Sequence, residues 1–165
     1  MMGKTMHALV LVSALSTALV AGMFYAFSSF VMAALGRIPS NEGISAMNAI
    51  NVTVITPSFM ALFMGSALLG IVLGGWSLFS ISQLDSQLIL LACLLYVVGC
   101  FGVTMVFNVP LNNQLAATSP ADGHVFWQGY LQTWTMWNTV RTAASALAAI
   151  VFIAVALRQA AVWSR

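Results

Sequence analysis

Between residues 127 and 141, Trp127, Tyr130, Trp134, Trp137 and Arg141 follow one another at intervals of three, four, three and four residues. At about 100° per residue on a helix these five project within an arc of about 80°, flanked by Asn138. A wall of aromatic rings ending in a cation has two uses. It can lie at a membrane interface, with Trp and Tyr at headgroup level and the arginine snorkelling outward. It can also hold a flat, partly anionic ligand by ring contact and a guanidinium, the reading that an arginine inside an apolar span invites. Spacing alone does not choose between the two.

A second polar set comes from the preceding apolar stretch, where Cys100, Thr104 and Asn108 stack at four-residue intervals and Asn108-Val109-Pro110-Leu111-Asn112 follows. Asn51 arrives from further upstream, before Pro57. Amides near lipid are costly unless paired, so Asn51, Asn108, Asn112 and Asn138 are expected to meet one another, Arg141 or a ligand. Other chemistry is thinly represented. Cys93 and Cys100 lie seven residues apart, on one helix face but too distant along its axis for a disulfide, and read as small packing residues. His7 and His124 are expected on opposite membrane faces, and neither has a second histidine at metal-ligand spacing. Met23, Met32, Met47, Met60 and Met64 read as apolar filler rather than a copper site, so no metal is expected. There is no glycine-rich phosphate loop, serine nucleophile elbow or paired carboxylate.

The elements that must position these groups follow from composition. Hydrophobic residues make up 61% of the 165 and charged residues only 5%, a balance that a water-facing domain of this size could not sustain. The solvent must be a lipid bilayer. The net charge of +2 is dispersed, without a Lys/Arg cluster, which argues against nucleic acid as a partner. Long uncharged runs predict an all-α, four-helix transmembrane bundle forming one domain over 1–165, with spans at about 7–35, 54–81, 87–107 and 138–157.

Lys4 and the run after it look like a signal peptide, but apolar sequence continues through Phe24, Phe27 and Val31, which predicts an uncleaved span. Pro57 suits the first turn of the second span, and Pro110 is expected to end the third. Ser119, Pro120 and Asp122 supply an N-cap, a first-turn proline and an early acid. They predict that an extracytoplasmic amphipathic aromatic helix starts there and leads into the fourth span, beyond which Trp163 suits an interface.

Ser66, Gly70 and Gly74 form a flat stripe for close packing, within the bundle or against a second copy in a homo-oligomer. The short 82–86 connection makes the second and third spans antiparallel neighbours, and two longer polar loops, 36–53 and 109–137, share the opposite face. Lys4, Arg158 and Arg165 lie on the side of the termini, with Arg37 alone in the first long loop, which predicts cytoplasmic termini.

The segments Gly22-Met23-Phe24-Tyr25-Ala26-Phe27, Phe30-Val31-Met32, Met47 with Asn51, Asn108 to Asn112, and Trp127, Tyr130, Trp134, Trp137-Asn138 and Arg141 together resemble the anthrone oxygenase family, across nearly the whole chain. One departure is Ala33, where many relatives carry proline. The resemblance implies a small four-helix protein, here of a bacterial inner membrane, acting on a hydrophobic aromatic (anthrone- or quinol-like) ligand. Fungal members are linked to oxidation of anthrones to anthraquinones.

That chemistry needs a base, an enolate stabiliser and a dry aromatic pocket, and requires no metal or other cofactor. By the same resemblance, Arg141 would stabilise the enolate oxygen, Asn108 and Asn138 would orient it, and Trp127, Trp134 and Trp137 would stack on the rings, with Tyr130, Asn51 and Asn112 completing the substrate site. His124 or Asp122 could serve as base only if their loop folds over the pocket. The rival class is a non-enzymatic membrane subunit or a binder of a small hydrophobic ligand, a quinone or a haem.

Overall fold

The computed structural model describes residues 2–120 and 123–163. Four of its helices are long and apolar enough to cross a bilayer, namely Gly3–Leu35, Pro57–Leu78, Leu84–Ala117 and His124–Ala161. No strand occurs among the described residues. The protein is an all-α bundle of membrane-spanning helices. Helix α1 (2–35) runs as Met2–Ala26, a π-type stretch Phe27–Val31 and a last turn Met32–Leu35. Helix α2 is Ser40–Thr53 and α3 is Pro57–Leu78. Helix α4 is Leu84–Ala117, and α5, His124–Trp163, is a single helix of 40 residues. Sequential spans pack on each other, and α1 closes the ring along α5.

Several boundaries differ from the sequence-based expectation, each for a local reason. The region 36–53 is not a polar loop, because Ser40–Thr53 is helical with Ile44 and Met47 turned inward. Helix α3 starts at Pro57 rather than 54. The Thr56 hydroxyl caps the Phe59 amide at 3.2 Å, and proline fills the first position, where a missing donor costs nothing. Pro110 does not end the third span, which continues to Ala117. Just upstream the ladder widens into π-type turns over Thr104–Asn108, with the Val109 N–H reaching the Thr104 carbonyl five residues back, and the ring is accommodated beyond it.

The aromatic helix is continuous with the fourth span, as expected, but it starts at His124 rather than near Ser119. Gly123 supplies the first carbonyl, accepting from the Trp127 N–H at 2.8 Å. A Cβ on Gly123 would sit 2.7 Å from both Ile44 Cδ1 and Thr118 Cγ2, so the chain folds back here closely enough to require glycine. Asp122, Arg165 and the Trp163 side chain lie outside the described residues.

The interior is built in three tiers. Val10, Leu73, Ile89 and Phe152 pack near the termini; Val20, Phe24, Phe63, Tyr96 and Ala148 fill the middle; Met32, Ile44, Met47, Leu115, Trp127, Tyr130 and Trp134 close the far end. The small-residue stripe is spent inside this core. Ser66 donates to Ser16 Oγ at 2.8 Å, and Cβ atoms on Gly70 and Gly74 would lie 3.0 Å from Val97 Cγ2 and 3.3 Å from Cys93 Cβ. It therefore joins α3 to α1 and α4 within one chain. Cys93 and Cys100 are free and buried in the packing.

Candidate functional site

Helix α5 presents its aromatic face to the far tier of the core. Trp127, Tyr130 and Trp134 are buried and form a column, with centroids 5.5 Å apart for the first pair and 6.3 Å for the second. Two turns beyond Trp134, Arg141 turns into the bundle and is only 5% exposed. Its Cζ lies 4.0 Å from the centroid of Phe24 and 5.0 Å from that of Trp134. An arginine snorkelling to headgroups is thereby ruled out. Trp137, at the edge of the predicted arc, leaves the column and stacks on Phe107 of α4 at 3.7 Å, away from Arg141.

The guanidinium is held by neutral groups. Its Nε donates to Asn138 Oδ1 at 3.0 Å and its Nη1 to Thr104 Oγ1 at 3.2 Å. No carboxylate pairs with it among the described residues, where Arg158 takes Asp85 at 2.8 Å. Guanidinium carries five N–H donors, so several remain after these two bonds.

Asn138 fixes the arginine by spending its own amide on α1, donating to the Phe24 carbonyl at 2.7 Å and to Ser28 Oγ at 2.6 Å. Asn108 donates from Nδ2 to the Trp134 carbonyl at 3.2 Å and leaves Oδ1 buried without a partner. Asn112 Oδ1 accepts from the Tyr130 hydroxyl at 2.9 Å and from Trp134 Nε1 at 2.8 Å. Asn51 lies beside the Tyr130 hydroxyl, and its buried Nδ2 has no partner in hydrogen-bond geometry.

These groups surround a cavity of about 220 Å³. Asn51, Thr104, Asn112, Trp134 and Arg141 form its polar edge, while Phe24, Phe27, Phe59, Phe63, Met47 and Met60 are among the residues of its apolar body. Arg141 keeps spare N–H groups at this edge after its bonds to Asn138 and Thr104. Such an edge suits acceptor oxygens of a carbonyl, enolate or phenolate.

Of the nine residues singled out from sequence, Arg141, Trp134, Asn51 and Asn112 line the cavity. Asn108, Asn138, Trp127 and Tyr130 stand behind the lining as supports, and Trp137 belongs to another contact. His124 is not at the cavity, because its Nδ1 pairs with Ser40 Oγ at 2.7 Å on the exposed surface.

Phe59 and Phe63 had no sequence-level role. Their four-residue spacing on α3, where the rings stack at 5.7 Å, was the available signal. A second, larger depression of about 370 Å³ opens near the termini beside Trp76 and Gln159. Among the described residues its one charged lining residue is Asp85, which is bound to Arg158.

No curated protein and no solved structure matches the chain. The profile of a family described as anthrone oxygenase does match, over residues 59–151. This segment holds the α3 phenylalanines, Thr104, the Asn108 to Asn112 turn, the aromatic column and Arg141, but not Asn51 or the Gly22 to Phe27 motif. It covers more than half of the chain and contains the cation with most of its supports, so this integral membrane protein belongs to the anthrone oxygenase family.

Proposed function

We propose that the cavity binds a small planar aromatic with its oxygen against the Arg141 guanidinium, and that the protein oxygenates such a substrate at an activated ring carbon. The observation that carries this reading is the buried cation at the edge of an aromatic cavity, with donors to spare and no carboxylate beside it among the described residues. A ketone flanked by an acidic CH2 gains most from that arrangement. Loss of a ring proton makes an enolate whose charge lies on the oxygen facing Arg141. The electron-rich ring carbon then reacts with O2. The CH2 becomes C=O, one oxygen atom of O2 ends in the new ketone, and the other leaves with the two hydrogens as water.

In this reading Asn138 and Thr104 position Arg141, Asn112 positions Trp134, and the phenylalanines hold the rings. The termini with Lys4 and Arg158 face the cytoplasm of a bacterial inner membrane, and the cavity lies toward the other face. One observation favours a second reading, a binder of quinones or related carbonyl compounds without turnover. No carboxylate, imidazole or amine lines the cavity among the described residues, so the lining supplies no general base.

Oxygen uptake by purified protein with anthrone, corrected for spontaneous oxidation, separates the two. Uptake that rises with protein concentration and disappears in Arg141→Ala supports the oxygenase. Saturable, Arg141-dependent binding of menadione without catalysed uptake would leave the binder. Loss of neither binding nor uptake in Arg141→Ala would sink both.

A further inference from the structure

The cavity beside Arg141 is closed toward the loops and open toward lipid. Its roof is the buried cluster of Ile44, Met47, Leu115, Trp127 and Tyr130, in which Ile44 and Met47 have no exposed surface. Below it, Phe63, Tyr96 and Cys100 fill the middle tier. Helices α1 and α5 pack along their length and are tied by Asn138 to Phe24.

The remaining side lies between the start of α3 and the π-type stretch of α4. Ile55 and Met105 both line the cavity there, yet they are 66% and 50% exposed, with Val54 and Met60 half-buried between them. Their outward neighbours Val52 and Val106 are exposed and apolar as well. Helix α3, with 22 residues at 1.5 Å each, is about 33 Å long and just crosses the hydrocarbon core. Its first turn therefore sits at one edge of that core, and the opening beside it faces acyl chains.

We propose that ligands reach Arg141 sideways from the bilayer, through the gap between α3 and α4 framed by Ile55, Met60 and Met105. The substrates are then neutral, membrane-dissolved aromatics. This rests on the reading of the cavity as a ligand site. An anion carried in water would have to shed its hydration among apolar side chains before meeting the guanidinium, whereas a neutral arene is already concentrated in the lipid. Met105, a flexible thioether at the mouth, can swing aside for a ring.

The test is chemical labelling of Met47→Cys in proteoliposomes, with wild-type protein, whose Cys93 and Cys100 are buried, as background. A lipophilic reagent, N-phenylmaleimide, is expected to label the cavity thiol, and a membrane-impermeant sulfonated maleimide is not. Adding Met105→Trp should slow labelling tenfold or more, whereas Val98→Trp, exposed on the same helix but not lining the cavity, should leave it unchanged. Ile50→Cys, which also lines the cavity, repeats the measurement if Met47→Cys does not assemble.

Equal labelling by both reagents, no effect of Met105→Trp, or no labelling of either thiol would overturn the lateral path. Maleimide attack does not involve Arg141, so the two ideas fail separately. Expected labelling together with menadione binding that ignores Arg141 would sink the cavity chemistry alone. Arg141-dependent binding without the labelling pattern would sink the path alone.

Discussion

Replacing Arg141 with methionine is expected to cost little stability and much affinity, the opposite of what a structural arginine would show. In the folded protein two hydrogen bonds disappear, at 3.0 Å to Asn138 Oδ1 and 3.2 Å to Thr104 Oγ1. Thr104 keeps its own bond to the Cys100 carbonyl at 2.8 Å, so only the Asn138 oxygen is orphaned, at a cost of about 1–3 kcal/mol. Against this stands the removal of a cation that is 5% exposed and unmatched by a carboxylate among the described residues, whose burial costs several kcal/mol. Methionine fills much of the same volume and keeps a contact with the rings of Phe24 and Trp134.

The net change in stability is therefore close to zero or favourable, a shift of a few degrees at most at about 2–4 °C per kcal/mol. For a bound enolate or quinone, loss of two hydrogen bonds from a charged donor, each about 1.5–3 kcal/mol, removes at least about 3 kcal/mol, on the order of 100-fold in Kd. Arg141→Lys should recover part of that, because an ammonium keeps the charge but lacks the planar fork. The assays are detergent melting and quenching of tryptophan emission by menadione in nanodiscs. Unchanged quenching in Arg141→Met, or a melting temperature lowered by more than about 10 °C, the equivalent of several kcal/mol, would refute this balance.

Gly70→Leu should lower stability by about 1–3 kcal/mol, since even its Cβ would lie 3.0 Å from Val97 Cγ2; unchanged detergent melting would show that α3 and α4 separate freely there. Asn112→Leu removes the acceptor shared by the Tyr130 hydroxyl and Trp134 Nε1 and should cost about 2–4 kcal/mol, with altered Trp emission. Retention of the wild-type melting temperature and spectrum would contradict that role. A reporter fused after Arg165 should be active in the cytoplasm and silent in the periplasm, and the reverse pattern would invert the topology.

The spans were legible because lipid makes a simple demand, about 20 apolar residues, and this chain meets it four times. The aromatic face was legible because α5 runs unbroken from His124 through Arg141, so a 3–4 spacing carries over into space. Pro110 misled because a proline's effect depends on the ladder upstream, and a π-type widening leaves no mark in composition. Helix α2 was missed although Ile44 and Met47 are spaced for one face, because its remaining residues are polar enough to read as loop.

The four asparagines show the limit most clearly. Their cost in an apolar setting predicted that they would meet one another, Arg141 or a ligand; Asn138 does accept from Arg141, but Asn108 pairs with the Trp134 carbonyl and Asn112 with the Tyr130 and Trp134 side chains. Which of them face the cavity depends on the rotation of α4 and α5 about their axes, and that is fixed by packing against α1 rather than by any local pattern.

The hydrogen bonds of the site divide it into a fixed wall and a yielding one. Asn138 ties α5 to α1, Thr104 and Asn108 tie α4 to α5, and Asn112 holds the rings of Tyr130 and Trp134. Three helices are thereby locked around the guanidinium. The opposite wall, from Met47 to Met60, crosses the turn at Val54–Thr56 and contributes Met47, Ile50, Asn51, Val54, Ile55, Phe59 and Met60 to the lining. The backbone and hydroxyl hydrogen bonds of residues 41–60 stay within that segment or join it to its own flanks, and its one polar approach to another span is Asn51 beside the Tyr130 hydroxyl. Apart from Asn51, apolar contact holds it against the rest, and such contact can re-form after a displacement without leaving a buried donor unpaired. A ring arriving at the Ile55 and Met105 mouth would therefore meet the side of the cavity with fewer hydrogen bonds to its neighbours, while Arg141 keeps its place.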